Sequence, residues 1–312
     1  MTVANLAFVF PGQGSQAVGM LADCADNAVV RDTFAEASAV LGYDLWALVA
    51  NGPVEELNQT HRTQPALLAA SVALYRLWRA EGGAQPAVMA GHSLGEYSAL
   101  VCAGAIGFAD AIRLVEQRGR FMQQAVPAGE GAMAAILGLD DDQVRQICAQ
   151  SCGEEVVSAV NFNSPGQVVI AGHTAAVARA SEACKAAGAK RALPLPVSAP
   201  SHCELMKPAA EQLATLLATI SIQAPQVPVL NNVDVASPSQ PEQIRDALVR
   251  QLYLPVRWTE SVEKLAAQGV RQFVEMGPGK VLSGLIKRIA KEADCLAIND
   301  LASLSASREI LN

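Results

Sequence analysis

The chain has no apolar run that approaches the length of a membrane-spanning helix, and only 4% of its 312 residues are aromatic. It also has no excess of basic residues. Thirty acidic residues against 23 basic ones give a net charge of −7, which argues against nucleic acid or an anionic membrane as the partner. No basic segment precedes the first apolar run, so we expect no signal peptide and a soluble, cytoplasmic protein.

Paired cysteines are also missing. The seven cysteines are an odd number, and Cys148 and Cys152 are separated by three residues rather than two, with no histidine near them in the sequence. This pattern indicates reduced thiols rather than a disulfide framework or a zinc site. The chain is instead rich in hydrophobic residues, at 51%, and is long enough for one large domain and a smaller one.

Short apolar segments alternate with helical patterns near the start of the chain. Residues 6–10 (LAFVF) predict a buried strand, and residues 65–81 predict a helix that begins near Pro65. A short strand over residues 87–90 and a helix over 96–103 follow. This alternation is typical of a parallel α/β sheet.

The stretch from about residue 131 to 194 has a different pattern. Its elements follow the order β-α-β-β-α-β of a ferredoxin-like unit, and the larger α/β pattern resumes after His202. We therefore predict a discontinuous α/β core of residues 1–126 and 198–312, with an inserted ferredoxin-like subdomain of residues 127–197. A cleft between two such units is the expected place for a ligand.

The segment Gly91-His92-Ser93-Leu94-Gly95 follows a predicted strand and precedes a predicted helix. This is the placement of a G-x-S-x-G nucleophile elbow, in which a serine lies on a strained turn that needs small neighbours. The N–H group of Leu94 then faces the oxygen of a tetrahedral intermediate. A chance match is the alternative in a chain with 23 glycines, but the placement favours a nucleophile.

A serine nucleophile needs a base, and the chain has four histidines: His61, His92, His173 and His202. His202 lies where the chain returns to the main sheet, and it follows the serine in the sequence, as the base does in elbow-type enzymes. We predict His202 as the base. His92 adjoins the serine and is predicted to pack, and the other two are predicted to be surface or structural residues.

Residues 12–17 (GQGSQA) fit two patterns. The first is a dinucleotide-binding G-x-G-x-x-A loop, which requires a second strand ending in an acidic residue about 20 residues on. The acidic residue near that distance, Glu36, lies in a helical pattern instead. The second pattern, which we favour, is a loop that places Gln13 near Ser93 and provides a second oxyanion-hole donor.

Arg118 lies on the apolar face of a predicted helix over residues 110–125. That face consists of Ala111, Ile112, Leu114, Val115, Gly119 and Met122. One explanation is an arginine whose stem covers apolar surface while its charge reaches water. The other is an inward guanidinium that binds a planar anion such as a substrate carboxylate. The residues alone leave both open.

Seven motifs together resemble a known family. They are FVFPGQGSQ, RTQPALLA, AGHSLGEYSAL, QRGRFMQ, NFNSPGQVVIAG, APSHC and FVEMGPGKVLSGL, and they run nearly from end to end. In this order the chain resembles the malonyl-CoA:acyl carrier protein transacylases of fatty acid synthesis and, more widely, the acyltransferase domains of polyketide synthases. The resemblance implies an α/β-hydrolase-like parallel-sheet core with an inserted ferredoxin-like subdomain.

The resemblance also implies a role for six residues. Ser93 would be the acylated nucleophile, His202 its base, Gln251 the residue whose backbone carbonyl holds the imidazole, Gln13 and Leu94 the oxyanion-hole donors, and Arg118 the clamp on the malonyl carboxylate. The implied reaction is ping-pong transfer from malonyl-CoA to the phosphopantetheine thiol of acyl carrier protein, with no metal or redox cofactor.

Three other functions are weighed against this one. A serine esterase shares the elbow but releases the acid to water, a dinucleotide-binding oxidoreductase would bind nicotinamide, and a non-catalytic module would only bind the carrier. The choice between malonyl and methylmalonyl stays open, because Ala199-Pro200-Ser201 differs from the signatures usual in polyketide synthase domains.

Overall fold

The structure is a computed structural model, and it describes residues 2–197 and 199–311. Within these ranges two sheets are formed by the strands β1 (Thr2–Phe10), β2 (Gln85–Gly91), β3 (Gly131–Leu137), β4 (Val157–Ser164), β5 (Gln167–His173), β6 (Arg191–Pro194), β7 (Val229–Leu230), β8 (Gln272–Met276) and β9 (Asp294–Ile298).

The strands are covered by α-helices. These are α1 (Ala28–Leu41), α2 (Leu45–Asn51), α3 (Val54–Leu57), α4 (Thr60–Ala80), α5 (Gly95–Cys102), α6 (Phe108–Gln124), α7 (Asp141–Ser151), α8 (Thr174–Ala186), α9 (Lys207–Leu217), α10 (Pro241–Gln251), α11 (Trp258–Ala267), α12 (Val281–Ile289) and α13 (Leu301–Leu311). In the described part of the chain none of them has both the length and the hydropathy of a membrane span.

The larger sheet has five strands in the order β7-β2-β1-β8-β9, and every neighbouring pair is parallel. Its central strand β1 is buried on both faces. Leu6, Phe8 and Phe10 pack into the core on one face, and Ala7 and Val9 pack into the core on the other. A strand covered on both faces has no polar alternation, which explains the continuous apolar run LAFVF.

The smaller sheet has four strands in the order β4-β5-β3-β6, and its pairs are antiparallel. Helices α7 and α8 pack together against it around a core of its own. The predicted fold class is therefore confirmed: an α/β-hydrolase-like parallel core carries a ferredoxin-like subdomain. The exact boundaries of the subdomain stay a prediction. Residue 198, the predicted first residue of the second core segment, lies outside the described residues.

Strand β4 joins the two units directly. The N–H group of Phe162 donates to the Val256 carbonyl at 3.0 Å, and the Val256 N–H group donates to the Val160 carbonyl at 2.8 Å. The Thr259 hydroxyl adds a bond to the Phe162 carbonyl at 3.0 Å. These bonds fix the subdomain against the core on one side, and a cleft separates the two units on the other.

The start of α4 differs from the prediction. The helix begins at Thr60, so Pro65 lies inside it rather than near its start. The first turn is closed by bonds from the N–H groups of Arg62 and Thr63 to the Gln59 carbonyl. The first turn consists of polar residues, so the apolar pattern from which the helix was predicted begins only after it. Pro65 costs one backbone bond, and the packing of α4 against α1 and α6 compensates for it.

Candidate active site

The cleft lies at the carboxyl ends of the parallel strands, where ligands of open α/β sheets bind. It has a volume of about 430 Å³. From the core, Ser93 and Gln13 follow strands β2 and β1, and both border the cleft. From the subdomain, Met133 and Leu195 form the facing wall. The predicted nucleophile therefore lies between the two units.

The elbow has the predicted strained geometry. Ser93 has a φ of 51°, in the left-handed region that few residues other than glycine adopt. A Cβ atom on Gly91 would lie 1.9 Å from the carbonyl carbon of Gly95, and one on Gly95 would lie 2.0 Å from the oxygen of Phe10. Both glycines are therefore required, because the ends of strands β1 and β2 approach the start of helix α5 too closely for a side chain.

Asn232 stabilises this turn, although none of the sequence motifs described above includes it. Its Oδ1 atom accepts the Ser93 N–H at 2.7 Å, and its Nδ2 atom donates to the Gly91 carbonyl at 2.7 Å. Both bonds tie the elbow to the loop after β7. The available signal was the polar pair Asn231-Asn232 immediately after the apolar strand, at the same edge of the sheet as Ser93.

His202 lies beside the serine as predicted. Its Nε2 atom is 2.8 Å from the Ser93 Oγ atom, and its Nδ1 atom is 2.7 Å from the Gln251 carbonyl oxygen. Since a carbonyl only accepts, Nδ1 carries the proton and Nε2 presents a lone pair to the hydroxyl. Burial, reinforced by the Arg118 charge, lowers the pKa of His202 to about 3, so the ring is neutral at neutral pH.

The remaining histidines make structural contacts, as predicted. The bonds are His61 Nδ1 to Gln123 Oε1 at 2.8 Å, His92 Nε2 to Asn163 Oδ1 at 2.8 Å, and Val156 N–H to His173 Nδ1 at 2.9 Å. His92 also packs its ring against Trp258, and burial lowers its pKa. It borders the cleft, but its bond to Asn163 directs its Nε2 atom away from the serine.

The loop after β1 runs along the elbow. The His92 N–H group donates to the Phe10 carbonyl at 3.0 Å, and a Cβ atom on Gly12 would lie 2.5 Å from the His92 carbonyl oxygen. Gln13 and Leu94 both border the cleft, as the serine does.

The dinucleotide alternative is not supported by this geometry. Glu36 lies in helix α1 and pairs with Arg76 at 2.8 Å, so it does not end a strand beside the loop. The acidic residue that would hold a ribose is therefore missing from the place where that pattern requires it.

Arg118 points into the protein and reaches the serine. Arg118 is only 1% exposed. Its guanidinium donates to Gln64 Oε1 at 2.9 Å, to Gln251 Oε1 at 3.0 Å and to Ser93 Oγ at 3.3 Å. Gly119 allows this approach, because a Cβ atom there would lie 2.5 Å from the backbone of α4. The alternative of an arginine that reaches water is therefore wrong.

The hydrogen-bonding capacity of this guanidinium is incompletely used. Among the described residues the Nε atom of Arg118 has no hydrogen-bond partner, and none of their carboxylates forms an ion pair with it. Burial lowers the pKa of Arg118. A buried cation with a free donor beside a serine hydroxyl suits a ligand that carries a carboxylate.

Glu96 is a second buried residue at the site, and its role was not predicted from the sequence. It is 2% exposed, and its Oε2 atom accepts the Asn232 N–H at 2.9 Å and the Gln251 Nε2–H at 2.8 Å. Burial raises its pKa to about 7. The available signal was that Glu96, three positions after Ser93, is the one charged residue in the sequence of helix α5.

Metal ligands do not cluster in the described ranges, where no group of three or more histidine, cysteine, aspartate or glutamate side chains is placed to hold an ion. The seven cysteines are free thiols, in agreement with their irregular spacing. The cleft is lined by Ser93, by His92 and His202, and by Arg118.

A serine on an elbow, bonded to a neutral histidine on a parallel α/β core, is typical of enzymes that transfer acyl groups through a covalent ester. The comparisons agree. Residues 7–305 match the model of the acyl transferase domain. The chain is 66% identical over 309 residues to the malonyl CoA-acyl carrier protein transacylase of Escherichia coli. The match covers 99% of this chain and all of that protein.

Two solved structures are similar throughout. An acyl carrier protein S-malonyltransferase from Vibrio cholerae has 68% identity and a TM-score of 0.96, covering 97% of this chain and all of its own. A malonyl-transacylase in complex with a type II PKS acyl-carrier protein has 62% identity and a TM-score of 0.97, covering 98% and 100%. The chain belongs to the acyl transferase family, in its group of malonyl CoA-acyl carrier protein transacylases, and is an acyltransferase.

Proposed function

We propose that this chain transfers the malonyl group of malonyl-CoA to the phosphopantetheine thiol of acyl carrier protein, through a malonyl ester on Ser93, and so feeds fatty acid biosynthesis. One observation carries the proposal. The Arg118 guanidinium donates to the Ser93 hydroxyl at 3.3 Å in a buried cleft. An acyl group on that oxygen which also places a carboxylate on the arginine has to be a short diacid, as malonyl is.

The acylation step uses the contacts of the free protein. The malonyl carboxylate pairs with Arg118, and the Ser93 oxygen attacks the thioester carbonyl while its proton passes to His202 Nε2. The backbone N–H groups of Gln13 and Leu94 hold the resulting oxyanion. When the intermediate collapses, the carbon–sulfur bond breaks, and CoA leaves with the proton that His202 carried.

The second half-reaction repeats these steps in reverse. The phosphopantetheine thiol gives its proton to His202 and attacks the malonyl ester, and the Ser93 oxygen leaves with that proton. The Gln251 carbonyl keeps the imidazole in the same tautomer for both half-reactions. The partner is an acyl carrier protein in this proposal, and a similar malonyl-transacylase has been solved in complex with one.

No metal or redox cofactor takes part in this scheme, since the thioester brings its own leaving group. We also propose that the reaction takes place in the cytoplasm, where the net charge of −7 suits a protein in solution. The serine esterase alternative is not favoured, because every relative reported above is named a malonyl transferase.

The function is tested by brief mixing with malonyl-CoA, followed by the mass of the intact protein. We expect one added malonyl group that persists in buffer and is discharged when acyl carrier protein bearing phosphopantetheine is added. Rapid loss of the adduct to water without the carrier would instead indicate an esterase. Absence of any adduct would contradict the covalent mechanism.

Replacing Arg118 by alanine should lower malonyl transfer by about tenfold to a hundredfold. A charge-assisted hydrogen bond is worth about 1.5–3 kcal/mol, and each 1.4 kcal/mol is about a factor of ten. Acetyl-CoA has no free carboxylate and should gain relative to malonyl-CoA. The measurement is the ratio of kcat/KM for the two esters.

Two further variants complete this test. Arg118→Lys should recover only part of the loss, because an ammonium lacks the planar fork. Arg113→Ala removes an exposed arginine from the polar face of the same helix and should leave the ratio unchanged. If Arg118→Ala slows both esters equally, the arginine is structural and does not select malonyl.

A further inference from the structure

Three buried side chains form a line behind the serine. The Gln251 amide lies in the middle, where its oxygen accepts from Arg118 at 3.0 Å and its N–H group donates to Glu96 at 2.8 Å. All three residues are at most 2% exposed. The amide thus turns its oxygen to the cation and its N–H groups to the carboxylate and to the Ser93 carbonyl, which is 3.1 Å away, so its orientation suits both charges.

Glu96 is the anion that balances Arg118 across this amide. Burial dominates the pKa of both groups, since it raises that of Glu96 to about 7 and lowers that of Arg118. Each charge acts on the other in the opposite sense. The other charged or titratable groups that face Glu96 are Tyr97, on its own helix, and Asp234, in the loop after β7.

We propose that Glu96 is the resident counter-charge of Arg118, and that it competes with the carboxylate of the acyl group for this arginine. Glu96 therefore limits the affinity of the cleft for the malonyl group. A lower affinity favours transfer of that group to the carrier. The proposal rests on the proposed function and adds a specificity-determining residue to it. Glu96 contacts neither the serine hydroxyl nor the histidine, so it acts through Gln251 and Arg118.

The physical reason is the repulsion between like charges at buried positions, where it is screened less than in water. When a carboxylate binds to Arg118, the second carboxylate, on Glu96, either stays charged and repels it or takes up a proton. Protonation costs about one factor of ten for each pH unit above the pKa. At pH 8, with a pKa of about 7, Glu96 can therefore weaken malonyl binding by up to about tenfold.

The test is Glu96→Gln, which removes the charge and keeps the size. The N–H group of Asn232 needs an acceptor, so the new amide should turn its oxygen toward it and keep both hydrogen bonds. At pH 8 we expect the kcat/KM ratio for malonyl-CoA over acetyl-CoA to rise about threefold to tenfold. At pH 6 the ratios of the two proteins should converge, because Glu96 is then protonated in the unmodified protein.

Glu275→Gln is the matched control. Glu275 is fully buried and accepts the N–H groups of Leu282 and Ser283, but it lies at the end of β8 and makes no contact with the line of three side chains. It should leave the ester ratio unchanged. If Glu96→Gln lowers the ratio, leaves it unchanged, or slows both esters equally, the counter-charge proposal is wrong.

A second measurement does not depend on transfer. If the two charges interact, Glu96→Gln should raise the Tm more, or lower it less, in an Arg118→Gln background than in the unmodified protein, because Glu96 has lost its cation there. Equal shifts in both backgrounds, or a double variant that does not fold, would overturn the proposal. Shifts that differ in a protein forming no malonyl adduct would instead disprove only the proposed function.

Discussion

Replacing Ser93 by alanine should abolish both the malonyl adduct and the transfer to the carrier. The hydroxyl is the only group lost. Removal of the nucleophile commonly lowers kcat by a factor of about ten thousand or more in such sites. Alanine should adopt the same strained turn, because Asn232 holds the Ser93 N–H and the Gly91 carbonyl through the backbone. The measurement is the mass of the intact protein after mixing with malonyl-CoA.

Ser98→Ala is the matched control for this change. Ser98 lies in the same helix, is 1% exposed, and its hydroxyl has no hydrogen-bond partner among the described residues. It should therefore keep the adduct. If the adduct survives in Ser93→Ala, another residue carries the acyl group, and the proposed mechanism has the wrong nucleophile.

Replacing His202 by alanine should slow acylation and discharge together, each by a factor of about a hundred to ten thousand. One imidazole faces the serine at 2.8 Å, and both half-reactions pass a proton through that contact. The two rates are measured separately, as formation of the adduct from malonyl-CoA and as its discharge by the carrier. Added imidazole should restore part of both rates if it occupies the vacated space.

His173→Ala is the control here. It removes a histidine that only accepts the Val156 N–H in the subdomain, so both rates should stay unchanged. A His202 variant in which just one half-reaction slows would show that a different group serves as base in the other.

The parts of the site that the sequence predicted are those with a local signal. The glycines around Ser93 are needed because atoms of neighbouring segments come within 2.0 Å of an added Cβ, and that requirement is visible as G-x-S-x-G. Arg118 stood out because a charge interrupts an apolar helix face. The apolar run of β1 predicted a buried strand, and the structure shows that this run is buried on both faces of the sheet.

The residues that were missed are joined to the site over long distances along the chain. Asn232 bonds to Ser93 across 139 residues, and Glu96 bonds to Gln251 across 155. The spacing of residues along the sequence does not predict contacts between residues that are so far apart in the chain. The order of the parallel sheet could not be predicted either. Strand β8 lies beside β1 although 261 residues lie between Phe10 and Gln272, and pairing at that range leaves no local pattern in the sequence.

Apart from its contact with the Ser93 hydroxyl, His202 is held by two main-chain carbonyls: that of Gln251 accepts from the ring Nδ1–H, and that of Leu252 accepts from the backbone N–H of His202. An alanine scan of Gln251 and Leu252 would leave both contacts in place, because it removes side chains and keeps the main-chain carbonyls. Gln251→Ala would keep the carbonyl and report only the loss of the side-chain amide, which bonds to Arg118, to Glu96 and to the Ser93 carbonyl. The anchoring of the base would show up in backbone changes instead, such as an inserted residue near the end of α10 that shifts the carbonyls while every side chain is retained.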